Sequence, residues 1–277
     1  MNRLLLVAGT MAVIHAIMTF AYAVRLAGVR TGRLAISLSL YNIIFLAAST
    51  ANAIQVPVLA KLVEETIMTY QGDPAVYLDG LIADMRFTLA GAVAGTLVAA
   101  LLLPSFVNIF VKAILWFEET GSLPKLLRAA LDAGRLRSLA ASIELPRLSA
   151  LREMLSPRAM AEFNMPKGFL FANIFITAFH ATGLQAAMLA GGVLPEFRTT
   201  ASGLSSVVYG GATLGLALVV DPVAAMVTDQ ALRGDRTEAE VRQMVRYLVL
   251  TRLIGTALSQ AIIVPGAYAI AWLAHRI

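Results

Sequence analysis

Apolar residues run along this chain in blocks of about twenty or more, near 4–27, 34–57, 87–116, 168–194, 201–231 and 243–273. Each block is long enough to cross a hydrocarbon core of roughly 30 Å as an α-helix. None alternates like a barrel strand, and a lipid-exposed backbone must satisfy its own hydrogen bonds, so the pattern predicts six transmembrane helices in an all-α, polytopic membrane protein. The third block is too long to lie straight, and Pro104 is expected to kink or break it. The first is too long for a signal peptide and has its heavier positive flank behind it, so it reads as a retained span.

The blocks also repeat. An ungapped shift of 165 lays His15-Ala16 on His180-Ala181, Arg33 on Arg198, Ser37 on Ser202, Pro57-Val58 on Pro222-Val223 and Glu64 on Asp229. A shift of 160 lays Arg86-Phe87 on Arg246-Tyr247 and Gly95-Thr96 on Gly255-Thr256. The chain holds only 3 histidines, and two of them coincide. The expected organisation is a three-helix unit at 1–117, a basic amphipathic connection at 118–167 and a second three-helix unit at 168–277. An odd-numbered repeat must insert upside down relative to its twin, an architecture common among transporters.

Polar residues inside the blocks fall on stripes. His15, Thr19 and Tyr22 share one helical face, followed by Arg25; Asn173, Thr177 and His180 share another. Asn42, Ser49 and Asn52 form a third, with Gln55 at its edge. Together they predict a wet cleft opening from the midplane toward one side; hydrogen-bonded helix packing is the other reading. Asp221 and Arg252 lie deep in the last two spans at similar depth and are expected to pair, as a structural lock or as a gating or ion-coupling element. Gly91/Gly95 and Gly211/Gly215 have the GxxxG spacing of close helix contacts.

Composition agrees: 58% hydrophobic against 14% charged residues excludes a water-soluble domain. Charge adds orientation. Arg25, Arg30 and Arg33, the basic 118–167 connection, and Arg233, Arg236, Arg242 and Arg246 share one side. The positive-inside rule then puts both termini outside the cytoplasm. The same asymmetry accounts for a pI of 9.7 without a nucleic-acid partner. In 118–167, Leu123, Leu126, Leu127, Ala130 and Leu131 repeat at helical spacing, and a second short helix is expected after Pro146. Such basic amphipathic helices lie in the membrane interface. Without cysteine there is no disulfide or thiolate metal site, and no cofactor or metal is expected. Walker, Rossmann, HExxH and GxSxG patterns are absent. A lipid-pyrophosphate phosphatase would need a Ser-Arg-Ser element, but Ala267-Tyr268 follows Pro265-Gly266 here.

The stretch HAIMTFAYAVRLAGVRTGRLA (15–35), continued by SLYNIIFLAASTANAIQVPVLAKLVE (39–64), resembles the amino-terminal signature of the Amj family of bacterial lipid II flippases. Ser49 departs from members that carry an arginine there. The resemblance implies transfer of lipid II, the undecaprenyl-pyrophosphate-linked peptidoglycan precursor, to the outer leaflet of the bacterial plasma membrane, with membrane lipid as the other partner. Homo-oligomers are compatible with this. It makes Arg25, Arg30 and Arg33 candidates for the pyrophosphate, with His15, Thr19, Tyr22, Asn42, Asn52, Asn173 and His180 lining the path. Arg246 and Arg86, at equivalent places in the repeats, become candidates for uptake and release. A non-transporting scaffold of cell-wall synthesis, acting through the basic segment, is the alternative.

Overall fold

The computed structural model describes residues 2–70, 73–144 and 166–277. Its elements are α1 (Asn2–Thr31), α2 (Leu34–Thr69), α3 (Pro74–Thr120), α4 (Leu123–Ala130), α5 (Ala133–Ala140) and α6 (Gly168–Val193). A 3₁₀ turn (Pro195–Phe197) leads to α7 (Arg198–Gly203), α8 (Ser205–Gly215), a π-helical turn (Leu216–Val220), α9 (Asp221–Leu232) and α10 (Glu238–Arg276). Among the described residues, six helical segments are long and apolar enough to cross a membrane. The helix expected after Pro146 lies outside the described residues.

Two parallel helix pairs make the centre. In the first, α1 and α3 touch backbone to backbone: a Cβ on Gly91 or Gly95 would run into the carbonyl oxygens of Ala8 and Ala12. Farther along, the Phe20 and Phe106 rings stack at 3.4 Å. In the second, α6 and α10 meet where a Cβ on Gly255 would lie 2.8 Å from Thr177 Cβ. The other expected glycine contact does not form. Gly211 faces open space, and Gly215 meets only the Ile176 side chain of α6, so no backbone-to-backbone contact forms there. Enclosure follows this plan: 78% of the apolar window of α6 is buried against 17% of that of α2, which therefore faces lipid.

α3 runs unbroken through Pro104 for 47 residues, about 70 Å at 1.5 Å per residue, more than twice the hydrocarbon core. Its first turns pack Tyr77, Leu81 and Met85 against Leu59, Val63 and Ile67 of α2. The Tyr77 hydroxyl donates to Gly192 O at 2.8 Å, tying α3 to the end of α6. The break comes instead in the fifth span. Pro222 offers no N–H to the Leu218 carbonyl and its ring crowds that oxygen, and Leu218 sits within the π-helical turn.

Beyond the bundle, α4 and α5 dock on the last turns of α3. Lys112 Nζ donates to Ser138 O at 2.6 Å, and Arg135 lies 4.9 Å over the Trp116 ring while pairing with Glu119. Leu126 is buried beneath α4, whereas Leu127 and Leu131 of the predicted apolar face are exposed.

Candidate functional site

The polar stripes of α1 and α6 face one another. His15 and His180 meet edge to face with ring centroids 6.4 Å apart. Two turns along, the Tyr22 hydroxyl donates to Asn173 Oδ1 at 3.3 Å, and Asn173 Nδ2 donates to Leu248 O at 3.2 Å and Thr251 Oγ1 at 2.9 Å on α10. His15, Thr19, Tyr22, Asn173, Thr177 and His180 are all buried. The expected cleft is therefore a closed polar seam whose two walls are in contact.

The charged residues pair differently from expectation. Asp221 binds Arg25 of α1, not Arg252. The Tyr41 hydroxyl also donates to Asp221, at 3.1 Å to Oδ1, and the Arg25 guanidinium lies 4.8 Å over the Tyr41 ring. The cause is the path of α1 between α9 and α10. It carries Arg25 to the level of Asp221, while Arg252 turns to Thr19, whose Oγ1 accepts from Arg252 Nε at 3.2 Å. Thr19 and Arg25 are six residues apart, about 9 Å along the helix. The ion pair thus joins the amino-terminal to the carboxy-terminal half of the chain.

Around the histidines, several buried polar atoms have no protein partner: His15 Nδ1, both His180 ring nitrogens, Thr177 Oγ1, Arg252 Nη2 and both amide atoms of Gln55. Tyr209 of α8 covers His180 with ring centroids 4.3 Å apart and donates to Ser49 Oγ at 3.4 Å. The α2 stripe is rotated from its expected setting. Asn42 is exposed on the outer surface and Asn52 is half-buried, while Gln55, at the edge of that stripe, is the one enclosed. Tyr41, Tyr209 and Thr251 are site residues that the striping did not single out.

The arginines separate into three groups. Arg25 is locked in the seam. Arg30 donates to Glu238 at 3.0 Å and Asn108 at 3.4 Å, and Arg33 donates to Glu118 at 2.8 Å at the bundle's edge. Arg30 then joins Arg246, Arg242, Asn108 and Glu144 around a half-open cavity of about 320 Å³ between α1, α3 and α10, floored by Leu103 and Val107. This brings together two of the predicted residues, Arg30 and Arg246, and adds Arg242. Arg86 is exposed toward the other end of α3, where its carbonyl accepts from Gln260 at 3.0 Å.

A cavity where three guanidinium groups converge, with Glu144 on its lining and Glu238 bridging Arg30 and Arg242, suits an anion that can take over those forks, since Arg binds phosphate oxygens in pairs. The chain matches the family model described as Amj, alternate to MurJ, over residues 10–274. It is similar to the Lipid II flippase Amj of Bacillus subtilis (strain 168), 33% identical over 264 residues that cover 94% of this chain and 92% of the relative. No solved structure matches.

Proposed function

The chain belongs to the Amj family, and from that premise we propose that it is a lipid II flippase. It carries the undecaprenyl-linked precursor from the cytoplasmic to the outer leaflet of a bacterial plasma membrane, and is a lipid transporter rather than an enzyme. The observation that carries this reading is the near full-length match to a relative named for that activity. The arginine-lined cavity supports it. At about 320 Å³ it is at the small end of ligand pockets, with room for the diphosphate while the sugar and peptide stay on its open side. The polyprenyl tail remains in lipid, and the passage of the polar headgroup through bare hydrocarbon is avoided.

The cavity end bears Arg30, Arg33, Arg242 and Arg246 together with α4 and α5, and the positive-inside rule makes it cytoplasmic, with both termini outside. Two inverted halves, 1–117 and 168–277, joined by 118–167, move against each other in alternating access. Matching contacts support that division. Gly95 packs on Ala12 in one half and Gly255 on Thr177 in the other, and both members of each contact correspond by the sequence offsets.

The test is to deplete a cell's other lipid II flippase while this protein is expressed. Growth and outer-leaflet lipid II are expected to be restored, and failure of both overturns the reading. Arg246→Gln is expected to lose the rescue, whereas deletion of 123–140 keeps it. The reverse pattern, with pure protein moving no lipid II between leaflets of vesicles, favours a scaffold.

A further inference from the structure

We propose that the layer around Arg252 is a second anion site, buried at mid-membrane and built for a phosphate-class oxyanion. It is distinct from the cavity at the basic end. The inference uses the flippase reading only for the source of that anion.

Arg252 is 2% exposed, and its Nη2 has no hydrogen-bond partner. Among the described residues no carboxylate forms an ion pair with it, and Asp221, half-buried on the neighbouring span, is held by Arg25 and Tyr41. A guanidinium cannot shed its proton in a protein, so this charge persists wherever the side chain goes. A charge inside the membrane without a counter-charge is expensive, and such residues mark substrate or ion paths.

The unpaired groups beside it can turn donors toward a ligand: the Gln55 amide nitrogen, the Thr177 hydroxyl and an N–H of each imidazole, with the Gln55 amide oxygen as an acceptor. Thr19 fixes Arg252 at the level of α1 just below His15, since Thr19 Oγ1 in turn donates to His15 O at 2.6 Å. Both imidazoles lie in the field of Arg252. Gln55 comes from α2 about one turn beyond His15: Ala48 clusters with Ile14 and Met18, and Leu59 with Val7 and Met11, so the residue between them sits near the level of Met11. His15, His180, Gln55 and Arg252 are each more than nine-tenths buried. Together they offer guanidinium, amide and imidazole N–H groups and no carboxylate. Sodium, magnesium or calcium would want the opposite set, carboxylates and carbonyls, and the fixed Arg252 charge repels any cation. An anion with several acceptor oxygens satisfies the donors and the charge at once.

Position supports this assignment. The layer sits where α1, α2, α6, α8 and α10 meet, one polar level in from the locked Arg25–Asp221 pair. Along α1 from the basic-end cavity, Arg252 is the next guanidinium beyond the Arg25–Asp221 lock. A free phosphate or pyrophosphate has the same chemistry, and the experiment separates the two sources.

The chain has 3 histidines, so ¹⁵N-histidine labelling of the full-length protein in nanodiscs gives a readout at the layer itself. His275, against Phe197 at the far end, is the internal control. Inorganic pyrophosphate and undecaprenyl pyrophosphate are titrated separately. The His15 and His180 signals are expected to shift with at least one of them while His275 stays still. Response to the lipid alone identifies the headgroup as the ligand, and response to both admits the free anion. Arg252→Gln is expected to weaken the response at least about tenfold, the loss of a charge-assisted hydrogen bond, whereas Arg246→Gln leaves the endpoint shifts in place. Should Arg252→Gln be too unstable to purify, Gln55→Leu replaces it, with a weakening of about threefold or more. Unmoved His15 and His180 signals at saturation mean that the layer holds water only and overturn the proposal, as does an undiminished response in the variant. A protein that fails the depletion rescue yet shows the Arg252-dependent shifts loses the flippase reading and keeps this site.

Discussion

Arg25 and Thr19 lie about 9 Å apart along α1, yet the layers around them are built by opposite rules. Around Arg25 the charge is answered, with carboxylate, phenol and an aromatic face converging on the cation, although its Nε has no partner. Around Thr19 and His15 the groups are enclosed but under-used, with a cation lacking an anion and imidazoles lacking partners. Buried polar groups are ordinarily satisfied, so the first layer reads as structure and the second as a site waiting for a ligand. The difference teaches where to look for transport: the lock holds the halves together, and the unsatisfied layer is what opening would expose.

The sharpest way to break the contrast is Arg25→Ala. It strands the Asp221 carboxylate in the seam and should cost about 3–5 kcal/mol, the penalty for removing one partner of a buried pair, read as lost thermal stability in detergent. A small loss would mean the lock is not structural. Tyr41→Phe removes one hydrogen bond to the same carboxylate and should cost about 1.5–3 kcal/mol. The double change His15→Asn with His180→Asn probes the other layer. Ring nitrogens without protein partners contribute little to the fold, so stability should change by less than about 1 kcal/mol while flipping in reconstituted vesicles falls sharply. Normal flipping would return both histidines to packing. Asn42→Ala, on the outer surface, should alter neither stability nor flipping.

Hydropathy made the six spans legible because each is an unbroken apolar block. It missed the outer turns of α2 and α3, residues 58–69 and 74–86. There the buried residues recur every fourth position, Leu59, Val63 and Ile67 against Tyr77, Leu81 and Met85, among exposed acids and lysine. Such helix is held by an apolar stripe, which averages away in a hydropathy window. The facing of His15 on His180 and of Tyr22 on Asn173 was legible from stripes alone. The partner of Asp221 was not, because Arg25 and Arg252 lie at separations of 196 and 31 residues and depth alone does not choose between them. The face of α2 was equally hidden: with apolar residues all round, nothing but its neighbours decides that Gln55 turns inward and Asn42 outward.

Two buried arginines, of which only Arg25 has a carboxylate, also make the molecule an electrical object. The electric field of an energised membrane does work of about 2.3 kcal/mol on a unit charge for each 100 mV it crosses. Any swing of Arg252 along the membrane normal is therefore biased by voltage, toward the negative face when it travels alone. Carrying a diphosphate, the pair has the opposite sign, and the bias reverses. One uncompensated guanidinium thus gives the empty and loaded protein opposite preferences in the same field.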